Sequence, residues 1–313
     1  MLKSFDDLLQ AVTSEPPRRV AVAAANDISA VAALKQATEA NVATAVFLGN
    51  GKLIHGFADT LGWKLADNQV VDIPEDIAAA VEAVRLVKTG KCDILMKGQI
   101  HTDDFLRALL DKELGLRTGA MMSHVFVLEL PQQDRLLFVT DAAMNIAPDL
   151  VRKAEIILNA VSLADGFGFE KPTVAVVAAL ELVNPDMPAT LDAAALAKMS
   201  DRGQFPSCLV DGPFGLDNAV SPAAAKIKKI DSPVAGKADI ILCPDIESGN
   251  MMVKCFSYMG DGRTAGVLVG ACAPVVLTSR ADTAESKFLS IATAVLMVNM
   301  HRAGKLKVGK VHY

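Results

Sequence analysis

Four short segments place cations, carboxylates and small polar groups where an apolar run gives way to a helical one, which is where chains hold anions. In Asp93-Ile-Leu-Met-Lys97-Gly98-Gln-Ile-His101-Thr102, a buried strand ends at Lys97 and a helix opens near His101. Lys97, His101, Thr102 and the first-turn N–H groups can then face one anion. Arg107 lies nearly two turns further on and points to the opposite side. The same residues also read as a simple Thr102-Asp103 helix cap. In Thr278-Ser279-Arg280-Ala-Asp282-Thr-Ala-Glu285, a hydrophobic strand runs straight into a polar elbow. Arg280 can clamp a phosphate through two parallel hydrogen bonds. Ser279 can donate to an oxyanion, and Asp282 or Glu285 supplies a carboxylate for proton transfer. The competing reading is a capping box of Asp282 and Glu285 beside a surface arginine.

The other two segments are more polar. Thr140-Asp141-Ala-Ala-Met-Asn145 ends a strand in an acid and places Asn145 where it can bond an acyl oxygen or a thioester. It reads equally as a turn held by Asp and Asn side chains on their own backbone. The run from Ser232 to Cys255 gives a turn, a buried strand, Asp245 and Glu247 at its acidic end, and a Ser248-Gly249-Asn250 elbow. A helix with Lys254 one turn in follows. A strand that delivers acids into a glycine elbow builds a ligand site at its carboxyl end. Asp245, Gly249, Asn250 and Lys254 are the binding candidates there, and the ligand expected at such a helix start is an anion. Asp211-Gly-Pro-Phe-Gly215-Leu-Asp217-Asn218 is a strand-end loop that either faces the same region or is only a turn.

These segments need a scaffold, and the chain reads as one. Near-continuous apolar runs of strand length recur at 19–24, 42–48, 69–73, 93–96, 125–130, 136–140, 173–178, 207–210, 240–243, 265–269 and 275–277. Helical patterns lie between most of them, at 5–12, 28–40, 77–88, 102–113, 150–165, 191–199 and 284–301. Alternation of this kind means βα units and mainly parallel sheets. The exception is 125–140, where Pro131-Gln-Gln-Asp134 joins two strands as an antiparallel hairpin. Pro148-Asp149 marks a helix start, and Gly166-Phe-Gly168 a helix end. The hairpin interrupts the βα rhythm and is the natural junction between two domains. The expected division is 1–138 with 290–313, against 139–289. The segment 305–313 reads as a basic tail or a short strand.

Composition narrows the classes. The chain has 313 residues, 51% hydrophobic and few aromatic, with a net charge of −5 and no basic run longer than Lys226-Ile-Lys-Lys229, which disfavours nucleic acid as a partner. No run of about 18 apolar residues occurs, so no membrane span is expected. Phe5-Asp6-Asp7 breaks any signal-like start, and a cytoplasmic protein is expected. The five cysteines lie in or beside apolar runs and read as core residues; neither they nor the five histidines have metal-ligand spacing. There is no G-x-x-x-x-G-K-[ST], and Ala23-Ala-Ala-Asn26-Asp27 stands where a dinucleotide-binding G-x-G-x-x-G would follow the first strand.

In order, Lys97-Gly98…His101-Thr102, Thr140-Asp141-Ala-Ala-Met-Asn145, Gly212-Pro…Leu216-Asp217, Ser232-Pro-Val-Ala-Gly…Pro244-Asp245…Ser248-Gly249-Asn250…Lys254 and Thr278-Ser279-Arg280 resemble the phosphate acetyltransferase/phosphate butyryltransferase family. The likeness spans roughly residues 90–290, and the Thr-Ser-Arg-Ala-Asp form is closer to the butyryl branch. It implies an α/β fold of two domains, with mainly parallel sheets flanked by helices and the active-site cleft between them, usually as a homodimer. It also implies reversible transfer of a short acyl group, butyryl or branched C4–C5 ahead of acetyl, between CoA and inorganic phosphate in a ternary complex. The partners would be acyl-CoA, phosphate and acyl phosphate, with CoA a substrate and no cofactor or metal needed. In that picture Ser279 steadies the oxyanion and Arg280 holds the phosphoryl group. The sequence departs from the acetyl branch where an aspartate is assigned as base, since Ser286 stands six residues past Arg280. Glu285 is the nearest replacement and Asp282 the second. Ala142 replaces a common cysteine, and Tyr258 a common arginine. The alternative is a non-catalytic acyl-CoA or acyl-phosphate-binding regulatory protein; a dehydrogenase of similar architecture lacks its fingerprint here.

Overall fold

The structure is a computed structural model that describes residues 1–304 and residue 311. The expected tail or strand at 305–313 otherwise lies outside the described residues. The chain divides into two compact units: a first unit of Phe5–Ala120 with Ala265–Ala303, and a second that includes Met1–Ser4 and Met121–Thr264.

Up to Ala120 the elements are α1 (Phe5–Thr13), β1 (Arg18–Ala23), α2 (Ile28–Glu39), β2 (Ala43–Gly49), α3 (Gly51–Thr60), β3 (Val70–Asp72), α4 (Asp76–Lys88), β4 (Ile94–Lys97) and α5 (Thr102–Leu109). Next come β5 (Ser123–Glu129), β6 (Leu137–Thr140), α6 (Leu150–Gly166), β7 (Thr173–Val177), α7 (Pro188–Asp201), β8 (Leu209–Phe214), α8 (Leu216–Val220), α9 (Pro222–Ile227), β9 (Ile240–Leu242) and α10 (Ile246–Met259). The chain closes with β10 (Arg263–Val269), β11 (Val275–Val276) and α11 (Ala284–Arg302).

In the first unit the strands lie in the order β3-β2-β1-β4-β11-β10. All pair in parallel except β10 with β11, an antiparallel return that periodicity alone does not announce. Every residue of β4 is buried, as a strand covered on both faces must be. Helix α11 packs on α2 and is buried along most of its length, from Lys287 through Val298. Its small and aliphatic residues face the core all round, so it shows no polar stripe.

The second unit orders its strands β5-β6-β9-β7-β8. β5 and β6 form the expected antiparallel hairpin, and the remaining pairings are parallel. Phe138 on β6 meets the rings of Phe167 and Phe169 edge to face, each at 5.4 Å, which anchors the end of α6 on the sheet. Asp149 caps α6, accepting from Arg152 N at 2.9 Å, and Gly168 ends it at φ +85°.

The two compact units are bounded at 120/121 and 264/265, a division drawn differently from the expected 138/139 and 289/290. The hairpin stays whole because β6 pairs with β9, and the Ser279-Arg280 elbow stays with β11, which pairs with β4. Helix α5 stops at Leu109 instead of 113, because the Asp111 carboxylate takes Glu113 N and Leu114 N into a turn. Helix α10 begins at Ile246, so Ser248-Gly249-Asn250 sits inside its first turns and forms no elbow. Of the cysteines, Cys92, Cys208 and Cys243 are core residues, while Cys255 on α10 and Cys272 in the β10–β11 turn are exposed. Burial pushes the Cys92 and Cys208 thiols up, to about 11 and about 12.

Candidate active site

The first unit gathers three cations and two carboxylates at the end of β4 and the starts of α2 and α11. Lys97 closes β4 and is only 3% exposed. Its ammonium feels Arg280, Lys287, Asp27 and Asp282. Burial, then Arg280 and Lys287, lower its pKa to about 8, against a weaker opposing pull from the two acids. Gly98 next to it is a steric requirement, since a Cβ there would lie 2.3 Å from the Ala24 carbonyl oxygen. That closeness also lets Gly98 N and Gln99 N donate to Ala23 O and Ala24 O at 2.9 and 2.8 Å.

The Ser279-Arg280 elbow is tied down by its own neighbours. The Asp282 carboxylate accepts from Ser279 N at 2.7 Å, and Asp282 N donates back to Ser279 O at 3.2 Å. Ser279 Oγ accepts from Ala281 N at 3.3 Å, which leaves its hydroxyl hydrogen to donate elsewhere. Thr283, and not Asp282, caps α11, taking Ser286 N at 3.1 Å. The capping-box reading of Asp282 and Glu285 therefore gives way to a turn clamp by Asp282. Arg280 and Ser279 are exposed, and Glu285 is exposed on the first turn of α11.

Lys287 joins these pieces. It is 2% exposed and donates to Ser29 Oγ and to the Asp282 carbonyl, both at 2.7 Å, with Asp27 at 3.6 Å. Asp27 in turn caps α2, accepting from Ser29 N at 2.9 Å. Neither Lys287 nor Ser29 is among the sequence candidates, and Asp27 stands there only in the segment after the first strand, without a role. A basic residue on a helix face that is otherwise apolar was the available signal. His101 and Thr102 stand exposed at the head of α5, where His101 occupies the cap position without a capping side-chain bond. Arg107 pairs with Asp104 at 2.9 Å, away from any anion role, as its spacing implied.

In the second unit the other candidates meet at the carboxyl ends of β6 and β9. Asp141, 2% exposed, accepts from the backbone N–H groups of His124, Ala143, Met144 and Asn145. It also accepts from Asn145 Nδ2 at 2.6 Å, and that same amide nitrogen donates to Met122 O at 3.0 Å. Both Asn145 donors are thus engaged in bracing the turn, which leaves its carbonyl oxygen for other partners. Asp245 caps α10 through Ser248 N and Ser248 Oγ at 2.8 and 2.7 Å. Asn250 Nδ2 donates to Ala142 O at 3.1 Å. Gly249 lets the helix approach, since a Cβ there would come 2.7 Å from Asp141 O. Lys254 is exposed, its ammonium 5.9 Å from the Tyr258 ring centre.

Beside them, Lys228 bridges Glu181 at 3.0 Å and Asp217 at 3.1 Å. The Ser232 hydroxyl donates to Asp211, which fixes the turn before β9 to the β8 strand. Among the described residues no group of three or more His, Cys, Asp or Glu is placed to hold a metal ion, and no helix is long and apolar enough to cross a membrane.

Comparison with known proteins places the chain in a family. Residues 76–295, which hold both clusters except for Asp27 and Ser29, match the family described as phosphate acetyl/butaryl transferase. The phosphate butyryltransferase of Clostridium beijerinckii is 49% identical over 297 residues, covering 95% of this chain and 98% of that protein. The phosphate acetyltransferase of Thermotoga maritima is 45% identical, covering 89% and 95%. A solved branched-chain phosphotransacylase from Enterococcus faecalis superposes with a TM-score of 0.77 at 33% identity, covering 90% of this chain and 99% of that one. A family match over most of the chain, together with relatives at 45% and 49% identity, makes this chain a member of the phosphate acetyl/butaryl transferase family.

Proposed function

We propose that this acyltransferase moves a short acyl group reversibly between CoA and inorganic phosphate, with butyryl or branched C4–C5 groups ahead of acetyl. The observation that carries the reading is the Lys97–Arg280–Lys287 cluster, three cations against two carboxylates at the head of α11. Such a site suits a phosphoryl group. The names of the similar proteins support the acyl range.

In the direction of acyl-CoA synthesis, the CoA thiol loses its proton to a carboxylate. The thiolate attacks the acyl-phosphate carbonyl carbon; the C–S bond forms, and the bond to the phosphate oxygen breaks. Arg280 holds the departing phosphate, and the free hydroxyl hydrogen of Ser279 steadies the oxyanion. Glu285, exposed on the first turn of α11, is the proposed proton acceptor, and Asp282 is the second candidate. His101, Thr102, Asn145, Asp245, Gly249, Asn250 and Lys254 are proposed to bind or shape the substrate sites. The reaction as drawn needs neither a metal nor a cofactor, with acyl-CoA, phosphate and acyl phosphate as partners. A cytoplasmic homodimer completes the proposal.

The test is release of free CoA from acetyl-, butyryl- and isobutyryl-CoA, followed by thiol titration with and without phosphate. Phosphate-dependent release, fastest with a C4 substrate, is the expected result. CoA binding without release from any of the three overturns it in favour of a regulatory binding protein.

A further inference from the structure

Lys97 differs from the other two cations of the cluster. Lys287 has two short hydrogen bonds and a nearby carboxylate, and Arg280 reaches solvent. Lys97 is almost wholly buried, and among the described residues its one hydrogen-bond partner is the Gly98 carbonyl at a long 3.4 Å. The two carboxylates within its field hydrogen-bond elsewhere, Asp27 to Ser29 and Asp282 to Ser279 N, and neither hydrogen-bonds Lys97 itself. From the elements packed around it, Lys97 therefore faces Arg280 and Asp282 on the elbow, Lys287 on α11 and Asp27 at the start of α2. A buried ammonium that shares its surroundings with two other cations, three positive charges against two carboxylates, leaves the cluster one negative charge short.

We propose that Lys97 is a specificity-determining residue that takes up a proton from solvent as a doubly charged tetrahedral oxyanion enters the cluster. Binding and protonation are then one linked event, and the site favours dianions over monoanions because the second negative charge adds to the attraction of all three cations. The lowered pKa of Lys97 fits this, since it places the free protein partly deprotonated just above neutral pH. The inference rests on the cluster being the phosphoryl site of the proposed reaction.

Sulfate is the probe, because it stays doubly charged over the whole range used and any pH dependence belongs to the protein. Its dissociation constant is measured by titration calorimetry on the full chain from about pH 6.5 to about pH 9.5. The expected profile is flat below about pH 8 and weakens about tenfold per pH unit above it. Lys97→Arg, whose charge does not titrate, should bind with no such slope, and Lys97→Met should bind weakly at every pH. A flat profile in the unaltered protein, the same slope in Lys97→Arg, or no sulfate binding at neutral pH overturns the proposal. Phosphate-dependent CoA release alongside a flat sulfate profile rejects the proton linkage and leaves the reaction standing. A sloped profile without CoA release rejects the reaction and leaves the linkage.

Discussion

The Lys287 ammonium donates to the backbone carbonyl of Asp282, five residues earlier, and to the hydroxyl of Ser29, both at 2.7 Å. One buried side chain thus staples the Ser279–Asp282 turn to the head of α2. Lys287→Met removes the staple and, with it, the ammonium that lies 3.6 Å from half-buried Asp27. Breaking one side of such a pair costs about 3 kcal/mol, which urea denaturation would register as a lower midpoint. The KM for phosphate should rise as the turn loosens. An unchanged midpoint and KM together would show that the staple is idle.

Arg280 is exposed, so Arg280→Ala should leave the urea midpoint where it was. Loss of a bidentate charged clamp should raise the phosphate KM by about 10- to 100-fold, with acyl-CoA affinity far less affected. Phosphate kinetics identical to the unaltered protein would remove Arg280 from the anion site.

Two glycines are required for close approach. At Gly98 a Cβ would be 2.3 Å from the Ala24 carbonyl, and at Gly249 one would be 2.7 Å from the Asp141 carbonyl. Both obstacles are backbone, so neither can swing aside. Gly249→Ala should cost about 1–3 kcal/mol, and Gly98→Ala more, because its contact is shorter. Denaturation midpoints for the two variants give the order directly; the reverse order would contradict the geometry.

Lys97 also makes a prediction about stability with the sign reversed from that of a paired lysine. Its folded pKa lies below its unfolded value, so between about pH 8 and the ordinary lysine range the unfolded chain holds more protons. Its contribution is therefore unfavourable at neutral pH and is relieved as pH rises through that window. In buffer free of multivalent anions, Lys97→Met should have a urea midpoint at pH 7 at or above that of the unaltered protein, with the gap narrowing towards pH 10. A clear loss of stability in Lys97→Met at pH 7 would reject the account of its burial.

The strands were legible because buried parallel strands are continuous apolar runs, and each of the eleven expected runs overlaps a strand. The Pro148-Asp149 helix start was equally plain, since Asp149 caps through a local bond. Less legible were features set by distant partners. Nothing near Lys287 in the sequence points to Ser29, and nothing around Asp27 marks it as part of an ion cluster. Ser248-Gly249-Asn250 has the composition of an elbow, yet Asp245 captures Ser248 N and starts the helix earlier. Asn145 looked free to meet a substrate, but both its donors are spent on Met122 and Asp141. Short helices such as α8 and α9 lack the length to show a period.

The pairing of β4 with β11, Leu95 opposite Val275, governs how the molecule comes off the ribosome. β1 covers one side of β4 as soon as both are made, but the other side waits until the second unit has been translated. A nascent chain halted before residue 275 carries Ile94-Leu-Met-Lys97 as a bare, apolar sheet edge open to other chains. Arg280 and Lys287 arrive only with the segment that seals that edge, so translation completes the charge cluster and protects the strand in the same stroke.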